Sequence, residues 1–244
     1  MMKRTFSLAL LTTGLFFNSS SFAAVVNNGS FENQGFTSWS TAGNTAVQGA
    51  LGGIPPISVP NGSNQAVLNS GDGSGADASI PAAALETFLD LGAGGLSGVG
   101  PVAFRGSAIK QSLTSVSVGD ILTFSWNFLT NEATPSPQND FSFFSVSRVG
   151  GGPTAQLLAN TNSNFTAINA STFAEQTGYQ QRSFTFTVAG DYTLGFGVVN
   201  TDPFASSALL VDNVSITAVP EPTSLASLMV LGGTVLTLRR RRKR

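Results

Sequence analysis

Asp120-Ile121-Leu122-Thr123-Phe124-Ser125-Trp126-Asn127-Phe128 is the stretch that decides the fold. Leu122, Phe124, Trp126 and Phe128 alternate with Ile121, Thr123, Ser125 and Asn127, giving a strand of period two with one strongly aromatic face. Such a face demands a core, and it assigns Trp126 to that core. Further along, Phe184, Phe186 and Val188 alternate with Ser183, Thr185 and Thr187. Tyr192, Leu194, Phe196 and Val198 resume the pattern after Gly190-Asp191. The turns Val118-Gly119-Asp120 and Val188-Ala189-Gly190-Asp191 each join two such strands, as hairpin connections would. In Phe141-Ser142-Phe143-Phe144-Ser145-Val146 the alternation changes phase at Phe143-Phe144, which predicts a β-bulge. Strands are also expected at 25–32, 65–69, 107–116 and 208–217. One helix is expected over 81–91, because Pro81 suits a first turn, Ala82 to Ala84 favour helix, and Leu85, Phe88 and Leu89 share a face. Residues 92–100 read as a flexible loop. The sum is an all-β chain, an antiparallel jelly-roll-like β-sandwich with one short helix.

The two ends read differently from this body. Lys3-Arg4, the apolar stretch Phe6 to Phe17 and the small residues Ser21 and Ala23 make the three parts of a secretory signal peptide, residues 1–23. At the other end stand Pro220-Glu221-Pro222, an uncharged and mostly apolar run from Thr223 to Leu238, and six cations from Arg239 to Arg244. As a helix the sixteen-residue run would span roughly 24 Å, short of a ~30 Å hydrocarbon core but within what snorkelling and bilayer thinning accommodate. The basic cluster after it fits a cytoplasmic stop. The body between the signals is residues 24–219. It keeps four cations, Arg105, Lys110, Arg148 and Arg182, against twelve acids, for a net charge of −8. A phosphate backbone requires a positive footprint, so nucleic acid is excluded as a partner, whereas divalent cations suit the balance. The chain has no cysteine and no histidine. Serine–histidine and cysteine–histidine catalysis are thereby excluded, along with most zinc sites.

The C-terminal 220–244 segment resembles the PEP-CTERM sorting signal in all three of its parts. That resemblance implies a transient membrane tether through the apolar helix and recognition by an exosortase-type membrane peptidase. It also implies an exported protein of the cell surface or extracellular matrix in a Gram-negative, polysaccharide-producing bacterium. The stretch from Gly106 to Lys110 and on through Trp126 to Glu132 resembles exported cyanobacterial PEP-CTERM proteins of no named activity.

Period two over Leu209-Leu210-Val211-Asp212-Asn213-Val214-Ser215-Ile216-Thr217 places Asp212 with Leu210, Val214 and Ile216 on what reads as the core face. A buried carboxylate needs a cation or several donors. Asn28-Gly29-Ser30-Phe31-Glu32, followed by Trp39, reads as an opening strand with its own acid. These two segments resemble the first and last strands of bacterial jelly-roll carbohydrate-binding modules. The resemblance implies a structural calcium held by Glu32 and Asp212, with backbone carbonyls completing the 6–8 oxygens calcium prefers. The other reading is a hydrogen-bonded or arginine-paired Asp212 and an exposed Glu32.

Asn131, Glu132, Asn139 and Asp140 bracket a proline-bearing loop, read as closing a hairpin, and form a candidate ligand loop or second calcium site; turn-forming polar residues are the plainer reading. Asp72 to Asp77 lacks the ligand spacing of a calcium loop and reads as flexible. Trp39 and Tyr179 are the freer aromatics for stacking a sugar. No motif selects a pair of catalytic carboxylates among the acids. The expectation is an exported, non-enzymatic, calcium-stabilised module that binds extracellular polysaccharide or another glycan. A purely structural matrix or adhesion protein is the alternative, and a glycoside-active enzyme stands third.

Overall fold

Apolar alternation builds two antiparallel sheets in the computed structural model, which describes residues 24–72, 77–169 and 171–219. The expected leader and the Pro220-Glu221-Pro222 segment lie outside the described residues. In chain order the elements are β1 (Ser40–Ala42), β2 (Asn44–Gln48), β3 (Gln65–Asn69), β4 (Ile80–Pro81), α1 (Ala82–Phe88) and β5 (Arg105–Val116). Then come β6 (Ile121–Thr130), β7 (Phe141–Arg148), β8 (Pro153–Asn160), β9 (Thr166–Ala167), β10 (Glu175–Gln176), β11 (Gln180–Thr185), β12 (Gly190–Asn200) and β13 (Ser207–Thr217). One sheet runs β1-β5-β12-β7-β8, with β4 on β5. The other runs β2-β3-β13-β6-β10-β9, with β11 also on β6. This is the expected antiparallel sandwich with one short α-helix.

The aromatic face of β6 meets the inner face of β12 and β7 across the sandwich. Phe124 lies 4.8 Å from Phe196, edge to face, and 5.1 Å from Phe144. Leu122, Trp126 and Phe128 join Tyr192, Leu194 and Val198 in the same core, as period two requires. Each sheet also buries part of its outer face. Leu85 and Leu89 of α1 cover Ala108, Phe141, Phe143 and Val199 of the first sheet. The helix can sit this low because Gly195 of β12 faces it and Gly197 leaves room for the Phe143 ring in the same layer. An added Cβ would stand 2.6 Å from Leu89 at Gly195 and 2.5 Å from Phe143 at Gly197. On the second sheet, Ile57, Ile168 and Phe173 cover Leu129, Ala208 and Leu210.

Several local expectations change. Residues 25–32 form turns, not a strand, with Asn28 and Phe31 at positive φ. Asn28 organises them: its Nδ2 donates to the carbonyls of Asn33, Gly35 and Thr37, and its Oδ1 accepts from the Asn33 N–H. The turns after β5 and after β11 are not hairpins, because each carries the chain from one sheet to the other. The 131–140 connection crosses between sheets in the same way. Phe143 and Phe144 do not break the phase of β7. They face two different apolar layers, one under α1 and one between the sheets. The irregularity sits opposite, where Ser142 pairs with Ala159 and Phe143 with Leu157, leaving Leu158 as the extra residue. Residues 92–100 hold a 3-10 turn, Gly95–Gly98, whose Leu96 is buried.

Because Phe124 contacts both facing strands, Phe124→Ala should cost about 3–5 kcal/mol. Chemical denaturation reads this directly, and an unchanged midpoint would show that the aromatic seam is not what holds the sheets together.

Candidate functional site

Three regions carry the polar chemistry. The first lies where the chain's opening turns meet its last strand. The Val214 N–H donates to the Gly29 carbonyl at 2.9 Å, pinning the two segments together. Between them runs the 61–64 loop, held by both predicted acids. Glu32 Oε1 accepts the N–H groups of Ser63 and Asn64, each at 2.7 Å, and Oε2 accepts Asn64 Nδ2 at 3.1 Å. Asp212 Oδ2 accepts the Asn61 N–H at 2.8 Å, and Oδ1 accepts the Asn213 N–H at 2.6 Å. Gly62 adopts φ 77, and an added Cβ there would stand 2.5 Å from Glu32 Oε1. Glycine lets the loop close on the carboxylate.

Asp212 is fully buried, but on the outer side of the second sheet and not in the main core. Leu209 and Val211 face the core, while Leu210 faces the outer layer. The register slips between Asp212 and Ser215, with Asn213 at φ 53, so Val214 returns to the core side. A bulge thus reverses the face expected from strict alternation. Exposed Glu32 is held below the usual carboxylate range by the Ser63 and Asn64 N–H groups. Burial pushes Asp212 up to about 6, against the Asn213 and Asn61 N–H groups and with help from the Glu32 charge.

The donor set gives a test of fit for calcium. Two carboxylates act on one another, and the ion pairs among the described residues, Arg105–Asp77 and Lys110–Asp90, involve neither. Glu32 Oε2 and both Asp212 oxygens each accept one bond among the described residues, so each keeps a lone pair. Among the described residues no group of three acids is placed to hold a metal ion, so amide and carbonyl oxygens would supply the rest of a shell.

The second region is the 131–140 connection. It brings Glu132 and Asp140 within electrostatic reach of one another and of Asp202, but not the two asparagines. Asn131 turns away to the Ala174 N–H and the Thr172 carbonyl, while Asn139 Oδ1 accepts Thr161 Oγ1 at 3.3 Å. Fully buried Asp140 accepts the Thr201 N–H at 2.9 Å and Ser207 Oγ at 2.8 Å. Burial pushes it up to about 7, opposed by those two donors and assisted by Glu132 and Asp202. Burial also raises Glu132, whose Oε2 accepts Ser136 Oγ while Oε1 has no partner among the described residues.

The third region is a cleft of about 260 Å³ on the open side of the sandwich, between β8 and the segment leading into β11. Trp126 and Leu158 lie against it, with Ser163, Asn164, Thr177 and Gln180 around them. Gln180 pairs with Trp126 across β11 and β6, which fixes the amide beside the indole. Sequence reasoning did not find this site, since it needs residues from four segments and the slip that makes Leu158 the extra residue of β8. The two aromatics expected to stack sugars are engaged elsewhere. Trp39 is 6% exposed, lies 5.5 Å from Phe31 and donates Nε1–H to the Asn28 carbonyl. The Tyr179 hydroxyl is bonded to Gln65 Oε1, and its ring packs on the outer cluster of the second sheet. Trp39 keeps no free ring face, whereas Tyr179 stays half-buried.

No protein-family model and no curated protein matches the chain. Among solved structures, TmCBM61 in complex with β-1,4-galactotriose is similar at 12% identity, over 80% of this chain and 97% of that one, with a TM-score of 0.45. A family 16 carbohydrate-binding module is similar at 14% identity, over 79% and 98%, with a TM-score of 0.38. The K3 cleaved adhesin domain of Lys-gingipain from Porphyromonas gingivalis W83 is similar at 18% identity, over 80% and 100%, with a TM-score of 0.37. The fold assignment itself rests on the strand pairings.

Asp212 and Asp140 set a pH dependence whose sign follows from linkage. Each binds its proton more tightly folded than unfolded, so each contributes stability that is present near pH 4 and lost as pH rises to about 6 and about 7 respectively. Glu32 works the other way, and its contribution falls away below the usual carboxylate range. In chelator, the melting temperature should therefore fall by several degrees between pH 4 and pH 8. Asp140→Asn should flatten the upper part of that fall. A melting temperature that rises steadily from pH 5 to 8 would contradict the assignment.

Proposed function

We propose that this chain is an exported, non-enzymatic β-sandwich that binds a glycan of the cell surface or extracellular matrix. The observation that carries the proposal is the cleft at Trp126. Two primary amides and two hydroxyls, those of Asn164, Gln180, Ser163 and Thr177, match a sugar's ring of hydroxyls, above a floor where Leu158 and the edge of Trp126, only 5% exposed, supply an apolar contact. The residues lining the cleft include no carboxylate, whereas glycoside hydrolysis uses a pair of them. Binding without cleavage is the chemistry this lining supports. We include in the proposal the export signal at 1–23 and the PEP-CTERM-like segment with Pro220, Glu221 and Pro222. That segment would place the chain in a membrane until an exosortase-type peptidase acts on it. Flotation with vesicles reads the membrane part.

A glycan screen of the chain should return a ligand, and Asn164→Ala and Gln180→Ala should each weaken it about tenfold, the equivalent of one hydrogen bond. Unfolding of both variants should be unchanged. A screen that returns no ligand would leave the structural matrix role in its place.

Calcium at Glu32 and Asp212 is a further part of the proposal, favoured by the Glu32 charge acting on buried Asp212 and by the lack of a paired cation for either acid among the described residues. There it would tie the opening turns and the 61–64 loop to the last strand. A metal bound only by the folded chain stabilises it by about 2.7 kcal/mol at 100 times its dissociation constant. Chelator should lower the melting temperature, and Asp212→Asn should remove most of that sensitivity. Identical melting curves with calcium and with chelator would leave the two acids as clamps on the 61–64 loop alone.

A further inference from the structure

Four segments meet at one end of the sandwich, and each raises an exposed valine there. The pairings Val116 with Gly190, Arg148 with Tyr192, and Ile121 with both Thr185 and Thr217 bring these segments together. Val118 is 57% exposed, Val149 69%, Val188 45% and Val219 42%. The segments are also stitched to one another. The Gly119 N–H donates to the Phe186 carbonyl at 2.8 Å, and the Val149 N–H to the Asp191 carbonyl at 2.9 Å. The Val219 N–H donates to Asp120 Oδ1 at 3.2 Å.

Ionisable groups at this end are few and committed. Asp120 is buried and holds the Ser117 and Val219 N–H groups. Asp191 accepts the Ser115 N–H, and Arg148 Nε donates to the Ala189 carbonyl. The opposite end also exposes apolar side chains, Phe104 and Phe204, but there they share the end with Asp77, Glu132, Asp140 and Asp202.

We propose that the valine end rests on the surface of the bilayer entered by the chain's own apolar run, Thr223 to Leu238. This rests on the membrane part of the function proposed above. Reach selects the end. Three residues separate Val219 from Thr223, four chain steps of at most about 14 Å when extended. The far end stands a strand length away, about 30 Å along ten-residue β6. Exposed apolar patches on otherwise polar surfaces mark interaction sites, and the valines can enter the headgroup boundary while Arg148 faces anionic lipid. The acidic end then points outward, away from like-charged headgroups.

The chain has no cysteine, so single labels are clean. An environment-sensitive fluorophore would be placed at Val149→Cys or Val188→Cys, with exposed Gln138→Cys at the opposite end as the control, in full-length chain. Vesicles of phosphatidylcholine and phosphatidylglycerol would carry nitroxide-labelled lipid. The chain should float with the vesicles. Labels at 149 and 188 should shift to the blue and be quenched, and the label at 138 should not. Val118→Ser with Val149→Ser should remove most of the quenching at 188 while flotation persists. Flotation with equal quenching at all three positions would overturn the docking and leave the membrane reading standing. Failure to float would overturn both. A blue shift without lipid, together with a dimer's mass in solution, would give this face to a second copy and overturn the bilayer as its occupant.

Discussion

The structure depends on an aromatic layer between two sheets. Phe124 meets Phe196 edge to face and Phe144 at a tilt, and Phe184, Phe186 and Tyr192 extend the chain of rings toward one end. Rings of this size bury large apolar areas and favour tilted contacts, so the layer supplies both cohesion and a fixed spacing between the sheets. It also excludes charge. With the interior filled by phenylalanine, every ionisable side chain is forced to the outer layers, the ends or the open edge. That single constraint distributes the chemistry: Asp212 under the 61–64 loop, Asp140 at one end, the polar cleft along the side.

What the sequence shows well follows from the same layer. Alternation over 121–128 and 192–198 places the correct side chains in the core, because an aromatic face has nowhere else to go. Connections are less legible. A Gly-Asp turn satisfies the same backbone needs whether the next strand joins its neighbour or crosses to the opposite sheet, and here it crosses. Asp212 is misread for a local reason, since the slip at Asn213 moves Val214 to the other face without any glycine or proline to announce it. The opening Asn-Gly-Ser-Phe-Glu stretch looks like a strand, but Asn28 spends its side chain on three carbonyls and one N–H and curls the backbone instead. The cleft is the least legible of all, because Trp126, Asn164 and Gln180 come together only through tertiary pairing.

Glu32 and Asp212 show how two acids of one pair can differ. Both serve the 61–64 loop through backbone N–H groups, yet Glu32 is exposed and stabilised as an anion while Asp212 is buried and drawn toward its neutral form. Each anion makes the other less comfortable, and among the described residues no guanidinium or ammonium offsets them. The clamp therefore pairs an exposed carboxylate held as an anion with a buried one drawn toward its proton.

Charge also gives the sandwich a direction. The cations of the body are scattered, Arg105 paired with Asp77 at one end and Lys110 with Asp90 beside the helix. The acids are not scattered evenly, for at the end away from Val219 the Asp202 charge raises both Glu132 and Asp140, and Glu132 raises Asp140. A body of net charge −8 lying near an anionic surface experiences a torque, and the lowest-energy orientation turns its acidic end away. The end left facing the surface is the one where Val118, Val149, Val188 and Val219 are exposed and where the last described residue leaves the fold. Repulsion from one end and apolar contact at the other thus favour the same orientation. The cleft at Trp126, on the side of the sandwich, stays open to solvent in it.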